Sequence, residues 1–397
     1  MRPLPWDRAS DLPWHVFTSP LAKWEVQPSF VVGEILFIGC AVAALIHALR
    51  QGDARRRHVL AWVAALLAGT ANDVFFMALP LVDNFWQAQA MIMITPRLPL
   101  YIPCVYVCFL YFPTVSVWRT NLRALPRAAA SGLAGLAFYA TYDIVGAKFL
   151  WWTWHDSDGP IARRILGAPI GSSMFVLTFA AAFAFLLGRA LDADAPPAPA
   201  VGRKTVAKAL AMACLLSTPL MMVQMTVLQQ LDGGVPGIRG LLLALLLFAA
   251  LVYRGLRGLR RQRETQATAP RAADRILVGA LAVYFTTMVG IVAVFDPATH
   301  RSESFHQTYG ACHVEATDIT GARRFEFICA EDYDEDFSFG CAGTLPADGS
   351  AWYTVCGQSH ARFATTMLAT AAMAAVGAAA YAALLGVVGR GGRRRAV

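Results

Sequence analysis

The chain has 397 residues, 57% of them hydrophobic and 15% charged, too little charge to clothe a soluble protein of this length. Its formal charge of +8 would suit a nucleic acid, but the basic residues collect in alternate loops, so no nucleic-acid partner is expected. The pattern predicts an all-α, polytopic membrane protein whose partner is the lipid bilayer.

Residues 1–29 form an extracytoplasmic segment with Pro3, Pro5, Asp7 and Asp11 where a cleavable signal would place its apolar core. Nine apolar blocks of about bilayer thickness follow, at 30–49, 59–80, 98–118, 128–147, 167–188, 209–231, 238–253, 276–295 and 363–388. The first is expected to act as an uncleaved signal-anchor. Basic clusters lie at 50–57, 119–127, 189–208 and 254–275 and in the tail. The positive-inside bias makes those segments cytoplasmic, with the N-terminus outside and the C-terminus inside. The expected organisation is a five-helix membrane region (30–191), a cytoplasmic Ala/Pro linker (192–208) and a three-helix membrane region (209–295). An acidic, Cys-rich extracytoplasmic loop (296–362), a last transmembrane helix (363–389) and a basic tail (390–397) complete it. Residues 81–97 are too polar to span and are expected as an interfacial helix or a re-entrant segment.

Cys40, Cys104, Cys108 and Cys214 fall in the apolar blocks, whereas Cys312, Cys329, Cys341 and Cys356 share the acidic loop. Four cysteines on an oxidising face imply two disulfides, with three pairings open. Phe325, Phe327, Phe337, Phe339, Trp352 and Tyr353 suggest short strands in this loop, and hence a small stapled cap. The expected location is the plasma membrane or an endomembrane, with the loop in an oxidising compartment.

Ionisable groups inside spans are costly and therefore informative. Here they share the outer half: Glu34 in the first block, Asn72 and Asp73 in the second, Arg97 at the entrance of the third, Asp143 in the fourth, and Gln224 and Gln229 in the sixth. Helical spacing puts Gly69, Asn72, Asp73 and Phe76 on one face, and Gly132, Gly135, Tyr139, Tyr142, Asp143 and Gly146 on another. Small residues there permit close helix approach, which turns Asp73 and Asp143 toward the bundle interior. The stretch FLWWTWHD supplies Trp151, Trp152, Trp154, His155 and Asp156; one reading is an interfacial aromatic belt, the other a pocket wall. Carboxyl groups walled by aromatic rings can deliver a proton and stabilise the cation that forms. Asp73, Asp143 and Glu34 are thus candidate catalytic acids. Asn72, Tyr139, Tyr142, Trp152, Trp154, His155, Arg97 and Gln224 are candidate substrate contacts. The histidines show no tight ligand spacing, so no metal site is assigned; there is no Walker, GxSxG or HExxH motif and no cofactor is indicated.

The stretches GTANDVFFMALPLVDNFWQAQAMIMITPRLPLYIPCVY and YDIVGAKFLWWTWHD resemble an uncharacterised, mainly eukaryotic family of multi-pass membrane proteins, which implies no activity. The layout of Asp143, Trp152, Trp154, Gly167 and Pro169 is similar to that of membrane carotenoid hydratases and small lycopene cyclases. Where the cyclases carry paired acids after the proline, this chain has Gly171, Ser172 and Ser173. The resemblance implies a hydrophobic, isoprenoid-class substrate. The expected function is an intramembrane enzyme using acid catalysis on an isoprenoid or lipid-like molecule; the alternative is a transporter or receptor-like binding protein for an outer-side solute.

Overall fold

The computed structural model describes residues 13–79, 85–154, 158–191, 201–261, 273–305, 308–319, 321–329, 337–359 and 362–386. Its helices are α1 (Pro20–Val26), α2 (Pro28–Leu49), α3 (Arg55–Met77), α4 (Tyr101–Val117), α5 (Ala124–Lys148), α6 (Gly159–Ala162), α7 (Ile170–Ala190), α8 (Arg203–Gln229), α9 (Ile238–Arg261), α10 (Asp274–Val294) and α11 (Phe363–Leu384). Every apolar block coincides with one of them. Among the described residues, seven are long and apolar enough to cross a membrane: α2, α3, α7, α8, α9, α10 and α11. The chain is therefore a multi-pass helical membrane protein. The other two blocks differ from expectation for physical reasons. Helix α4 is only 17 residues long. Helix α5 carries Arg127, Asp143 and Lys148 and is rich in Ala and Gly, which lowers its hydropathy.

That composition follows from where α5 sits. It packs against α4, α7, α9, α10 and α11, so its neighbours are helices rather than lipid. Gly132 lies against the Leu177 carbonyl and Gly135 against Ala180 and the Phe109 carbonyl; a Cβ at either position would press into α7. Pro113 inside α4 has no N–H to give the Phe109 carbonyl, and the chain passes Gly135 there. Helices beyond the linker return onto the first five, with α8 on α3 and α7, α9 on α5, and α10 on α2. The basic stretch 203–208, assigned to the linker from sequence, is the start of α8; residues 192–200 lie outside the described residues.

The end of the bundle near Glu34 and Asn72 is built from extended chain. The described part of the 81–97 segment contains two short strands and no helix. Phe85–Gln87 pairs antiparallel with Trp152–Trp154, and Met93–Thr95 with Leu98–Pro99. The N-terminal segment adds further main-chain bonds, Thr18 N–H to Met91 O and Met93 N–H to Val16 O, both at 2.9 Å. Polar side chains such as Gln87 and Gln89 could not face a helix's lipid side, whereas pairing satisfies the backbone and leaves them to interior partners.

The cap contains a three-stranded antiparallel sheet with Trp352–Gly357 between Phe337–Ser338 and Arg301–Phe305. A separate hairpin joins Glu315–Thr317 to Arg323–Phe325. Disulfides Cys312–Cys329 and Cys341–Cys356 select one of the three open pairings. The cap core of Tyr309, Ile328, Phe337, Phe339, Tyr353 and Val355 also takes in Leu150 from the end of α5. Leu150 adopts a φ of 56° to reach it.

The opposite end of the bundle is less apolar than its sequence suggests. His47 Nδ1 lies 2.7 Å from the Tyr111 hydroxyl and Nε2 3.3 Å from Asp274 Oδ1. Arg119 pairs with the same Asp274 carboxylate. This buried cluster joins α2, α4 and α10.

Candidate functional site

The site starts from Gly69 of α3. The Tyr106 ring of α4 lies where a Cβ of residue 69 would project. This close approach brings the Tyr106 hydroxyl to the next turn of α3, where it donates to Asp73 Oδ1 at 2.8 Å. Asn72 Nδ2 donates to the same hydroxyl at 3.2 Å, and Thr218 Oγ1 of α8 donates to Asn72 Oδ1 at 2.9 Å. A directed chain from Thr218 through Asn72 and Tyr106 to Asp73 thus ties three helices together.

Asn72, Asp73 and Tyr106 line a cavity of about 740 Å³, the size of a small-molecule site. Its walls are largely aromatic. Tyr139 and Tyr142 come from the small-residue face of α5, Phe109 from α4 and Phe175 from α7. In the strand Trp152–Trp154, alternation places Trp152 and Trp154 on one side, toward the cavity, and sends Trp151 the other way against Phe30 and Gly33. Gly146 makes room for the Trp152 ring, which sits 4.8 Å from that of Tyr142. Trp152 is 3% exposed, and among the described residues its Nε1–H meets no hydrogen-bond partner. Met221, Met222 and Met225 of α8 complete an adaptable wall.

The cap supplies the roof. Glu315, Arg323, Arg324 and Phe325 of the hairpin line the cavity, as does Asp158 at the start of α6. Arg324 Nε donates to Asp318 Oδ2 at 2.8 Å, and its Nη1 lies 3.5 Å from Asp158 Oδ2. Asp158 Oδ1 also accepts the Phe325 N–H at 2.8 Å. These buried contacts hold the hairpin to the bundle, while Cys312–Cys329 closes the segment that carries it.

Of the residues singled out from sequence, Asn72, Asp73, Tyr139, Tyr142, Trp152 and Trp154 share this cavity. Asp143 is 1% exposed and lies behind the lining. Ser172 and Arg164 are the polar groups that act on its carboxylate, without a hydrogen bond of regular geometry. Glu34 is elsewhere: both its oxygens take the Met91 N–H, at 3.0 and 2.9 Å, which anchors the extended segment after α3. Arg97 occupies the turn between Met93–Thr95 and Leu98–Pro99. Gln224 Nε2 bonds to its own helix at Leu220 O, while Gln229 reaches the cavity. His155 lies outside the described residues. Thr218, Asp158 and Arg324 are contributors that the sequence did not single out, while Tyr106, one of the aromatic residues of the third apolar block, and Ser172 carried no assigned site role there. Tyr106 could have been found, because Gly69 opposite a tyrosine-rich helix marks a close approach. The roof gives no such signal beyond its bracketing cysteines.

A second polar group buttresses the cavity from behind. Ser29 Oγ accepts the Trp151 Nε1–H at 3.1 Å and lies 2.8 Å from His300 Nε2. His300 Nδ1 lies 3.0 Å from the Asp296 carbonyl, which can only accept, so Nδ1 carries the proton and Nε2 accepts from Ser29. Burial pulls the His300 ring down to about 4.

No curated protein and no solved structure matches the chain. The family model described as Domain of unknown function (DUF7802) matches residues 14–381, most of the chain, and the protein belongs to that family.

Proposed function

We propose that this protein is an intramembrane enzyme that acts by acid catalysis on a lipid-like substrate of the isoprenoid class. The observation that carries the reading is the presence of Asp73 in a single aromatic-walled cavity under a roof. A carboxyl group there delivers a proton to an alkene or epoxide, and the faces of Tyr139, Tyr142, Trp152 and Trp154 stabilise the resulting cation. Asn72 and Tyr106 orient Asp73, and the indole N–H of Trp152 offers a donor to a substrate oxygen. Asp143 acts through Ser172, and Glu34 has a supporting part. In this reading all nine long helices cross the bilayer, with α4 and α5 shielded by their neighbours. The charge map supports an outer cap and a cytoplasmic tail.

The test compares cells overexpressing the wild type with cells expressing Asp73→Asn or Asp143→Asn. A wild-type-specific change in the membrane lipid and isoprenoid profile, lost in Asp73→Asn, supports the enzyme. Identical profiles from all three overturn it. A second reading, an outer-side binding or transport protein, draws on the opposite charges that Glu315 and Arg323 bring to the roof. Uptake into proteoliposomes that follows a proton gradient would favour it.

A further inference from the structure

Beside the main cavity, at the cap end of the bundle, lies an open depression of about 490 Å³ lined by Arg163, Arg164 and Arg239. Among the described residues that line the depression, one carboxylate, Asp232, accompanies the three guanidinium groups, and it is already engaged; Asp143, behind the main cavity's lining, also acts on Arg164. Asp232 Oδ2 accepts the Gly240 N–H at 2.8 Å and its Oδ1 the Arg239 N–H at 3.4 Å, so it caps the start of α9. Arg163 Nη1 donates to the Asp232 carbonyl at 3.1 Å and stands 3.8 Å from Oδ1. Among its described lining residues, three guanidinium groups thus face one carboxylate.

The arginines are held in place. Arg164 begins a two-residue hairpin in which Arg164 pairs with Pro169 and Ile165 with Ala168. Both turn residues, Leu166 and Gly167, have positive φ, as such a tight turn requires. Arg164 Nη1 donates to the Gly167 carbonyl at 3.0 Å. Arg239 lies in the first turn of α9, whose dipole adds to the positive field.

These positions do not follow from the charge bias that sets topology, because the other basic clusters belong to the opposite loops. The rim is apolar: Leu231 and Ile238 line the depression and are 45% and 46% exposed. Gly233 lines both the depression and the main cavity. A cationic floor, an apolar rim and continuity with an apolar cavity fit an anionic amphiphile better than a free anion. Guanidinium forks match the oxygens of a phosphate.

We propose that Arg163, Arg164 and Arg239 form a subsite for the phosphate head group of a membrane amphiphile. That the apolar body of the same molecule enters the main cavity rests on the functional reading above; the head-group subsite does not.

The test uses the full chain in nanodiscs of neutral phosphatidylcholine, with dodecyl phosphate, dodecanol and inorganic phosphate as probes and bound probe measured at equilibrium. Dodecyl phosphate is expected to bind in preference to dodecanol. The double variant Arg163→Ala/Arg239→Ala, both sites being exposed, is expected to weaken it roughly tenfold or more. Lysine at both positions should restore part of the loss, and dodecanol binding should not change. Inorganic phosphate that bound as tightly as dodecyl phosphate would overturn the amphiphile in favour of a free anion. Equal binding of dodecyl phosphate by wild type and double variant, or no preference over dodecanol, would overturn the subsite. Asp73→Asn is expected to keep the head-group preference, so a failure of the catalytic reading is read separately from a failure here.

Discussion

The Tyr106 hydroxyl donates to Asp73 Oδ1 while it accepts from Asn72 Nδ2. A phenol has one proton to give, so the direction of this bond is fixed by its two neighbours. Tyr106→Phe removes the link and leaves the ring packed against Gly69. The expected cost is about 1–2 kcal/mol of stability, with ligand binding or turnover falling toward the level of Asp73→Asn. Thermal unfolding in detergent alongside the lipid profile checks both parts; a variant as active as wild type would remove Tyr106 from the site.

Gly146→Ala places a methyl group where the Trp152 ring lies. Overpacking of this kind costs about 1–3 kcal/mol. The indole must shift into the cavity or away from Tyr142, so ligand capacity should fall more than fold stability. The comparison is Gly39→Ala, where a Cβ meets nothing within 4 Å and neither quantity should change.

Arg324→Ala leaves Asp158 and Asp318 without their shared cation, at side-chain exposures of 4% and 0%. Losing one partner of a buried ion pair costs about 3–5 kcal/mol. The loss should be local: the hairpin becomes protease-sensitive while the helical circular dichroism signal is retained. Arg323→Ala, whose ion pair is largely exposed, serves as the near-neutral control.

Replacing Cys312 and Cys329 by serine opens a closure of 17 residues, for which chain entropy gives about 3 kcal/mol. Mild reduction of the wild type should likewise expose the roof hairpin to protease. Intact protection after reduction would show that the Asp158 contacts suffice alone.

His300 gives the cap end of the bundle an acid limit. Its ring stays neutral in the fold down to about 4, below its ordinary value of 6.5. Between those values the unfolded chain binds a proton that the folded chain does not, so stability is full above about pH 6.5 and is lost as pH falls toward 4. Melting temperatures from pH 7.5 to 4.5 should decline in wild type and decline less steeply in His300→Gln. Parallel slopes would assign the acid limit to other groups.

The helices were legible because bilayer thickness imposes a long apolar run on each span, and Asp73 was legible because a carboxylate has no reason to be in such a run. Asp143 and Glu34 satisfied the same rule and yet stand outside the cavity lining. Depth and helix face do not say which polar group meets solvent space and which meets a neighbour's backbone, as Glu34 meets Met91. The extended segment after α3 was hidden because its partners lie far along the chain: Gln87 pairs with Trp152. The His47–Asp274 contact spans 227 residues and was hidden for the same reason.

The roof hairpin has a consequence for how the protein matures. Every wall of the cavity comes from residues 72–236, whereas its cover comes from residues 315–325. During synthesis the walls therefore exist before the cover does. The compartment is complete only once the hairpin has folded back onto Asp158. An intermediate in which the hairpin has not yet folded carries the same aromatic walls without their cover.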